Sequence, residues 1–208
     1  MSAAPPELPE LPARAFDKAD PASDTLFYRQ PCFVAHIDPD AIAAVTRLYR
    51  EVLPPGGVVL DLMGSWISHL PDDISYAEVI GHGMNAEELA ANPRYDRRFV
   101  QSLNDSAALP LADASVDAVT ICVSVQYLQQ PVAVMQEVRR VLRPGGPVVI
   151  TFSNRCFPTK AVAIWQALAG PDQCRLVELY LHRAGFADAT SRELDSTDNP
   201  VWAVVGRA

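Results

Sequence analysis

Within six residues, Asp61 to Trp66 gather a carboxylate, a glycine, a hydroxyl and an indole, in the order Asp61-Leu62-Met63-Gly64-Ser65-Trp66. Gly64 gives the backbone freedom to bring its amides close to an anionic group, and the Trp66 face attracts a cation by roughly 0.5–2 kcal/mol. His69 follows closely, and His36 lies well upstream. Imidazoles titrate near neutrality, so both are candidate general bases, with Tyr127 as a further acid–base group. Arg155, beside Asn154, can grip a carboxylate or phosphate with two parallel N–H donors, while Gln126 offers a neutral amide. Tyr28, next to Arg29, suits a lid. Each has a plainer alternative: a packed histidine, a surface arginine, or an indole that fills space. Cys32, Cys122, Cys156 and Cys174 are widely spaced with no Cys-x-x-Cys pair, which suits neither zinc nor a disulfide framework; no metal is expected.

These groups must be held by regular elements. Asp38-Pro39 caps a helix whose apolar stripe is Ile42, Val45, Leu48, Tyr49 and Val52, and Pro54-Pro55-Gly56-Gly57 stops it. Val58 to Leu62 has the continuous apolar character of a strand buried on both faces, so a parallel sheet is implied. Further strands are predicted over 76–81, 99–103, 116–123, 148–152, 187–193 and 201–206. Helices are predicted from Asn85, over 131–142, over 161–168 and over 173–184. Alternating strands and helices give an α/β layered sheet.

Composition narrows the function. The 208 residues are 49% hydrophobic and 20% charged, enough for one sizeable core. A net charge of −8 opposes a nucleic-acid partner, and no apolar run is long enough for a membrane span. The start of the chain is rich in Pro, Ala and Glu and lacks a secretory pattern, so a cytoplasmic location with reduced thiols is expected. Residues 1–30 read as a flexible arm and 31–208 as a single domain.

Two segments carry a family resemblance. Leu109-Pro110-Leu111-Ala112-Asp113-Ala114-Ser115-Val116-Asp117-Ala118-Val119 and Glu137-Val138-Arg139-Arg140-Val141-Leu142-Arg143-Pro144-Gly145-Gly146 resemble, in order and spacing, two motifs of class I S-adenosylmethionine (SAM)-dependent methyltransferases. The resemblance implies a Rossmann-like, doubly wound sheet of about seven mostly parallel strands with helices on both faces. It also implies SAM as cofactor, a small-molecule methyl acceptor, and in-line displacement that needs positioning more than covalent chemistry.

Carried over residue by residue, the resemblance puts Asp61 beneath the methionine part of SAM. Met63, Gly64, Ser65 and Trp66 form the turn where the family has glycines; Met63, Ser65 and Ile67 stand in their place. Gly83 occupies the position of the family's ribose-binding carboxylate, with Met84 and Asn85 after it. Asn85 or His82 is read as a neutral ribose partner, with a plain helix N-cap as the alternative for Asn85. Asn104 and Asp105 fall at the adenine end, Asp105 being either an adenine contact or a solvated loop carboxylate, and Val123 is a further cofactor contact, while Tyr28, His36, Gln126, Asn154 and Arg155 face the acceptor, with Tyr127 and His69 as catalytic candidates. The missing glycines and ribose acid leave a rival: a methyltransferase-like binding or regulatory protein that no longer takes SAM. The two part on whether the cleft beside Gly64 is open or filled by Trp66, Met63 and Met84.

Overall fold

The computed structural model describes residues 8–208. One seven-stranded sheet, in the order β3-β2-β1-β4-β5-β7-β6, runs through the molecule. Its strands are β1 Val58–Asp61, β2 Glu78–Gly83, β3 Arg97–Val100, β4 Ala118–Cys122, β5 Pro147–Ser153, β6 Asp188–Leu194 and β7 Val201–Arg207. β1 to β5 pair in parallel, while β7 is antiparallel to both β5 and β6. The expected doubly wound fold is therefore present.

Alternation along the strands sorts side chains into two cores. Leu60, Ile80, Val119 and Ile150 join helices α4 (Pro131–Val141) and α6 (Gly170–Arg183) on one face. Val59, Val79, Ala118 and Val149 join α2 (Pro39–Val52) on the other. Asp38 caps α2 by accepting from Ala41 N–H at 2.9 Å, and Pro39 sits in its first turn, as the sequence predicts. Among the described residues there are also three short α-helices: α1 (Asp24–Phe27), α3 (Ala86–Ala91) and α5 (Ala163–Ala167).

Two expectations need adjustment. β2 and β3 sit two residues from their predicted spans, because the parallel register pairs Asp61 with Gly81 and Gly83 with Val100. The crossover between β1 and β2 is a loop anchored by Leu70 in the second core. Residues 8–30 are not a flexible arm. Leu8, Ala15 and Phe16 are buried in the first core, and Ala163 and Ile164 donate backbone hydrogen bonds to Asp17 and Ala15. Residues 1–7 lie outside the described residues.

A buried ion cluster fastens this segment. Lys160 is fully buried, its ammonium 3.0 Å from Asp20 and 3.7 Å from Asp24 and donating to the Ala22 carbonyl at 2.7 Å. Lys18 adds a 2.6 Å contact to Asp24. Buried lysines need such partners, since an unpaired ammonium pays several kcal/mol in lost hydration.

Candidate functional site

The carboxyl ends of β1, β2 and β4 open into a cavity of about 410 Å³. It lies where strand order reverses between β1 and β4, the place at which open α/β sheets bind ligands. Residues 24–37 cross above it as a roof, contributing Phe27, Tyr28, Cys32, Val34 and His36 to its wall. Both turns flanking the crevice hold a non-glycine residue in left-handed backbone: Met63 at φ 60° and Val123 at φ 46°. Such conformations cost of order 1–3 kcal/mol and persist only where neighbours enforce them. At Val123 the enforcement is visible, because its N–H donates to Thr151 O at 2.8 Å and its carbonyl accepts from Gln126.

The β1 turn is held by side chains of β2 and of the segment before β3. Met63 N–H donates to His82 Nδ1 at 3.0 Å and Gly64 N–H to the His82 carbonyl at 2.7 Å. His82 Nδ1 is thus an acceptor, so the ring proton is on Nε2, which donates to the Gln101 carbonyl at 3.0 Å. Burial pushes the His82 pKa down to about 4, and the ring stays neutral. Gly64 is needed for close approach: a Cβ there would lie 2.3 Å from the Tyr95 hydroxyl oxygen. That hydroxyl donates to Asp61 Oδ2 at 2.8 Å, as does Ser68, and Thr120 donates to Oδ1 at 2.9 Å. Asp61 thus stands at the floor of the cavity with three hydroxyl donors.

Trp66 does not plug the cleft. Its indole N–H donates to the Val34 carbonyl at 3.2 Å and its ring packs edge-on against Phe33, so it is a wall that fastens the roof. Met63 packs against the first core. Ser65 donates to Glu88 Oε2, while Glu88 Oε1 accepts from Cys32 N–H at 2.7 Å. Asn85 is the N-cap of α3, accepting from Glu87 and Glu88 N–H, and its amide donates to the Tyr28 and Arg29 carbonyls. All its polar capacity is used by protein, and it is not a cavity wall.

On the β4–β5 side, Tyr127 accepts from Phe157 N–H at 3.0 Å and burial pushes its phenol up to about 12. It holds the loop after β5 and is a poor base at neutral pH. Phe157 is surrounded by Phe27 and His36, each at 5.3 Å, and by stacked Tyr127 at 5.9 Å. Burial also lowers the His36 and His69 pKa values, and His69 Nδ1 has no hydrogen-bond partner. Ser124 Oγ is likewise without a partner. Asn104 donates to Asp24 and to the Tyr127 carbonyl, joining roof to wall. Arg155 reaches the cavity, but its Nε donates to Asn199.

The structure thus brings together Asp61, Met63, Gly64, Ser65, Trp66, Gly83, Met84, Asn104, Val123, Tyr127, His69, Tyr28, His36 and Arg155 around one cavity. Asn85, Asp105, Gln126 and Asn154 are outside it. Asp105 borders a shallow depression near Lys18, Gln126 is buried with its amide on Val123, and Asn154 is exposed. Sequence reasoning missed Glu88 and Tyr95, and it weighed His82 as a ribose partner, whereas His82 spends both ring nitrogens on Met63 and Gln101. Of the two missed, only Glu88 carried a local signal, three residues after an N-cap, where it read as part of a capping pattern.

A family model described as a methyltransferase domain matches residues 63–150. Demethylmenaquinone methyltransferase from Mycobacterium sp. (strain JLS) is 36% identical over 110 residues, which is 50% of this chain and 47% of that protein. The chain thus spans about half the length of such curated relatives. Among solved structures, a SAM-dependent methyltransferase from Aquifex aeolicus aligns with TM-score 0.58 and 16% identity over 81% of this chain and 93% of that one. The [4+2]-cyclase SpnF aligns with TM-score 0.59 and 16% identity over 78% and 80%. These two show the shared fold. The methyltransferase-domain match runs from the β1 turn into β5, and the seven-stranded sheet built around it has the Rossmann-like fold of SAM-dependent methyltransferases.

Proposed function

We propose that this protein transfers a methyl group from SAM to a small-molecule acceptor within the crevice between β1 and β4. The observation that carries the reading is the open cavity beside Gly64, with Trp66 turned to the roof rather than into the space. Its volume lies in the range of small-molecule sites. The lining fits the cofactor: Met84, Leu103 and Val123 offer apolar walls for a flat base, and Asp61 offers a carboxylate with acceptor capacity left after three hydroxyl donors.

SAM when bound supplies an electrophilic methyl on a sulfonium. The chain's own part is to orient the acceptor and exclude water, which the roof over the cavity supports. His69 is the base in this reading. It is neutral near pH 7, borders the cavity and keeps an unpartnered Nδ1 to take the acceptor's proton. The aromatic side of the cavity, formed by Phe27, Tyr28 and Phe157, suits a flat, apolar acceptor. A demethylmenaquinone, the substrate named for the curated relatives, is the first to test. No helix among the described residues is long and apolar enough to cross a membrane, and four free cysteines suit a reducing cytoplasm.

Calorimetric titration with SAM and S-adenosylhomocysteine, followed by transfer of labelled methyl to the quinone, is the direct test. Binding in the micromolar range and labelled product are expected. Absence of binding to the wild-type chain sinks the enzyme reading in favour of a methyltransferase-like binding protein.

A further inference from the structure

The family's ribose-binding acid has no counterpart at Gly83, and the packing explains why. A Cβ at Gly83 would lie 2.4 Å from the Gly64 carbonyl, so no side chain fits there. Three carboxylates border the cavity: Asp24, Asp61 and Glu88. Asp24 is engaged by Lys18, Lys160 and Asn104, and Asp61 by three hydroxyls.

Glu88 differs. It is buried at 9% exposure, and among the described residues no lysine or arginine pairs with it. Its two donors, Cys32 N–H and the Ser65 hydroxyl, fill about half of a carboxylate's roughly four acceptor positions. Among the described residues the cationic candidate facing it is His36, which desolvation keeps neutral near pH 7. A buried carboxylate with spare acceptor capacity and no cation is costly unless further donors complete it. Position favours the same role. Side chains on a helix lean toward its N-terminus, so Glu88 on α3 leans back toward the end of β2.

Resting on the SAM reading above, we propose that Glu88 replaces the missing acid and accepts hydrogen bonds from the ribose diol of the bound nucleoside. The acid has moved by five positions in sequence, from the strand end to the following helix, because the β1 turn lies flat on Gly83.

The test compares S-adenosylhomocysteine with its 2′,3′-dideoxy analogue on wild type and Glu88→Gln by calorimetry. Loss of a charged acceptor should weaken S-adenosylhomocysteine binding at least about 10-fold, while the dideoxy analogue binds both proteins alike. An equal penalty on both ligands overturns the proposal, since Glu88 would then act only by holding Ser65 and the roof; so does no penalty on either. Wild type that binds neither ligand defeats the SAM reading itself, and this inference with it. Should Glu88→Gln not fold, Glu88→Asp, which keeps the charge and withdraws it by one methylene, serves the same comparison.

Discussion

The turns Pro144-Gly145-Gly146 and Met63-Gly64-Ser65 both lie at ends of sheet strands, and both contain glycine, yet glycine does different work in each. Gly145 has φ 79°, and nothing lies within 4 Å of where its Cβ would be. It is there for its torsion, ending the approach to β5 with its N–H on the Ala208 carbonyl at 2.8 Å. Gly64 needs no positive φ; it is there because Tyr95 stands where a Cβ would go. The left-handed residue of that turn is Met63, steadied by its hydrogen bond to His82. A role that family members give to a row of glycines is here divided among a strained methionine, a packed glycine and a buried histidine. One turn is tied by backbone to the end of the chain at Ala208, the other by side chains to the β2 region and the segment before β3.

Substitutions can break or sharpen this contrast. The largest effect is expected for Gly64→Ala, whose methyl has to displace the hydrogen-bonded Tyr95 hydroxyl at a cost of about 3 kcal/mol. Urea unfolding measures it, and a loss below about 1 kcal/mol would mean that the turn is not packed as described.

His82→Phe comes next. It keeps an aromatic ring, slightly larger, but strands the part-buried Met63 N–H and Gln101 carbonyl, for about 2 kcal/mol. Its pH signature is separate. The folded pKa of about 4 lies below the ordinary 6.5, so the stability tied to neutral His82 is complete above pH 6.5 and is lost as pH falls from 6.5 toward 4. Thermal melting across that window should show a decline in wild type that is shallower in His82→Phe. Equal slopes would count against the histidine's burial.

Gly145→Ala should cost least, about 1 kcal/mol, because only the left-handed torsion resists it. S-adenosylhomocysteine affinity is expected to stay at the wild-type value in this variant. A change in affinity would show that the two turns are coupled.

Much of the scaffold was legible because its signals are local. Val58 to Leu62 reads as a strand buried on both faces from its own apolar run, and the Pro-Gly-Gly stop after α4 needs no distant partner. The N-cap reading of Asn85 was right for the same reason, since it accepts from residues two and three positions on. The site was legible only in part. His82 and Tyr95 act by crossing from one strand region to the next, and nothing in the residues around them announces that Met63 or Asp61 will be their partner. The segment before the roof was misread because proline and alanine describe a loose chain, whereas Leu8 and Phe16 are buried in the first core and the carbonyls of Ala15 and Asp17 accept from α5, which lies far along the sequence.

The buried Lys160 has a consequence for the order of folding. It meets Asp20 across 140 positions of chain, so the cluster must wait until nearly the whole sheet has brought those ends together. Closing so large a loop precedes any reward from the contact, and such non-local pairings are slow to form. The ceiling of the pocket is therefore expected to close after the sheet has taken shape, which the refolding kinetics of a Lys160→Met variant would test.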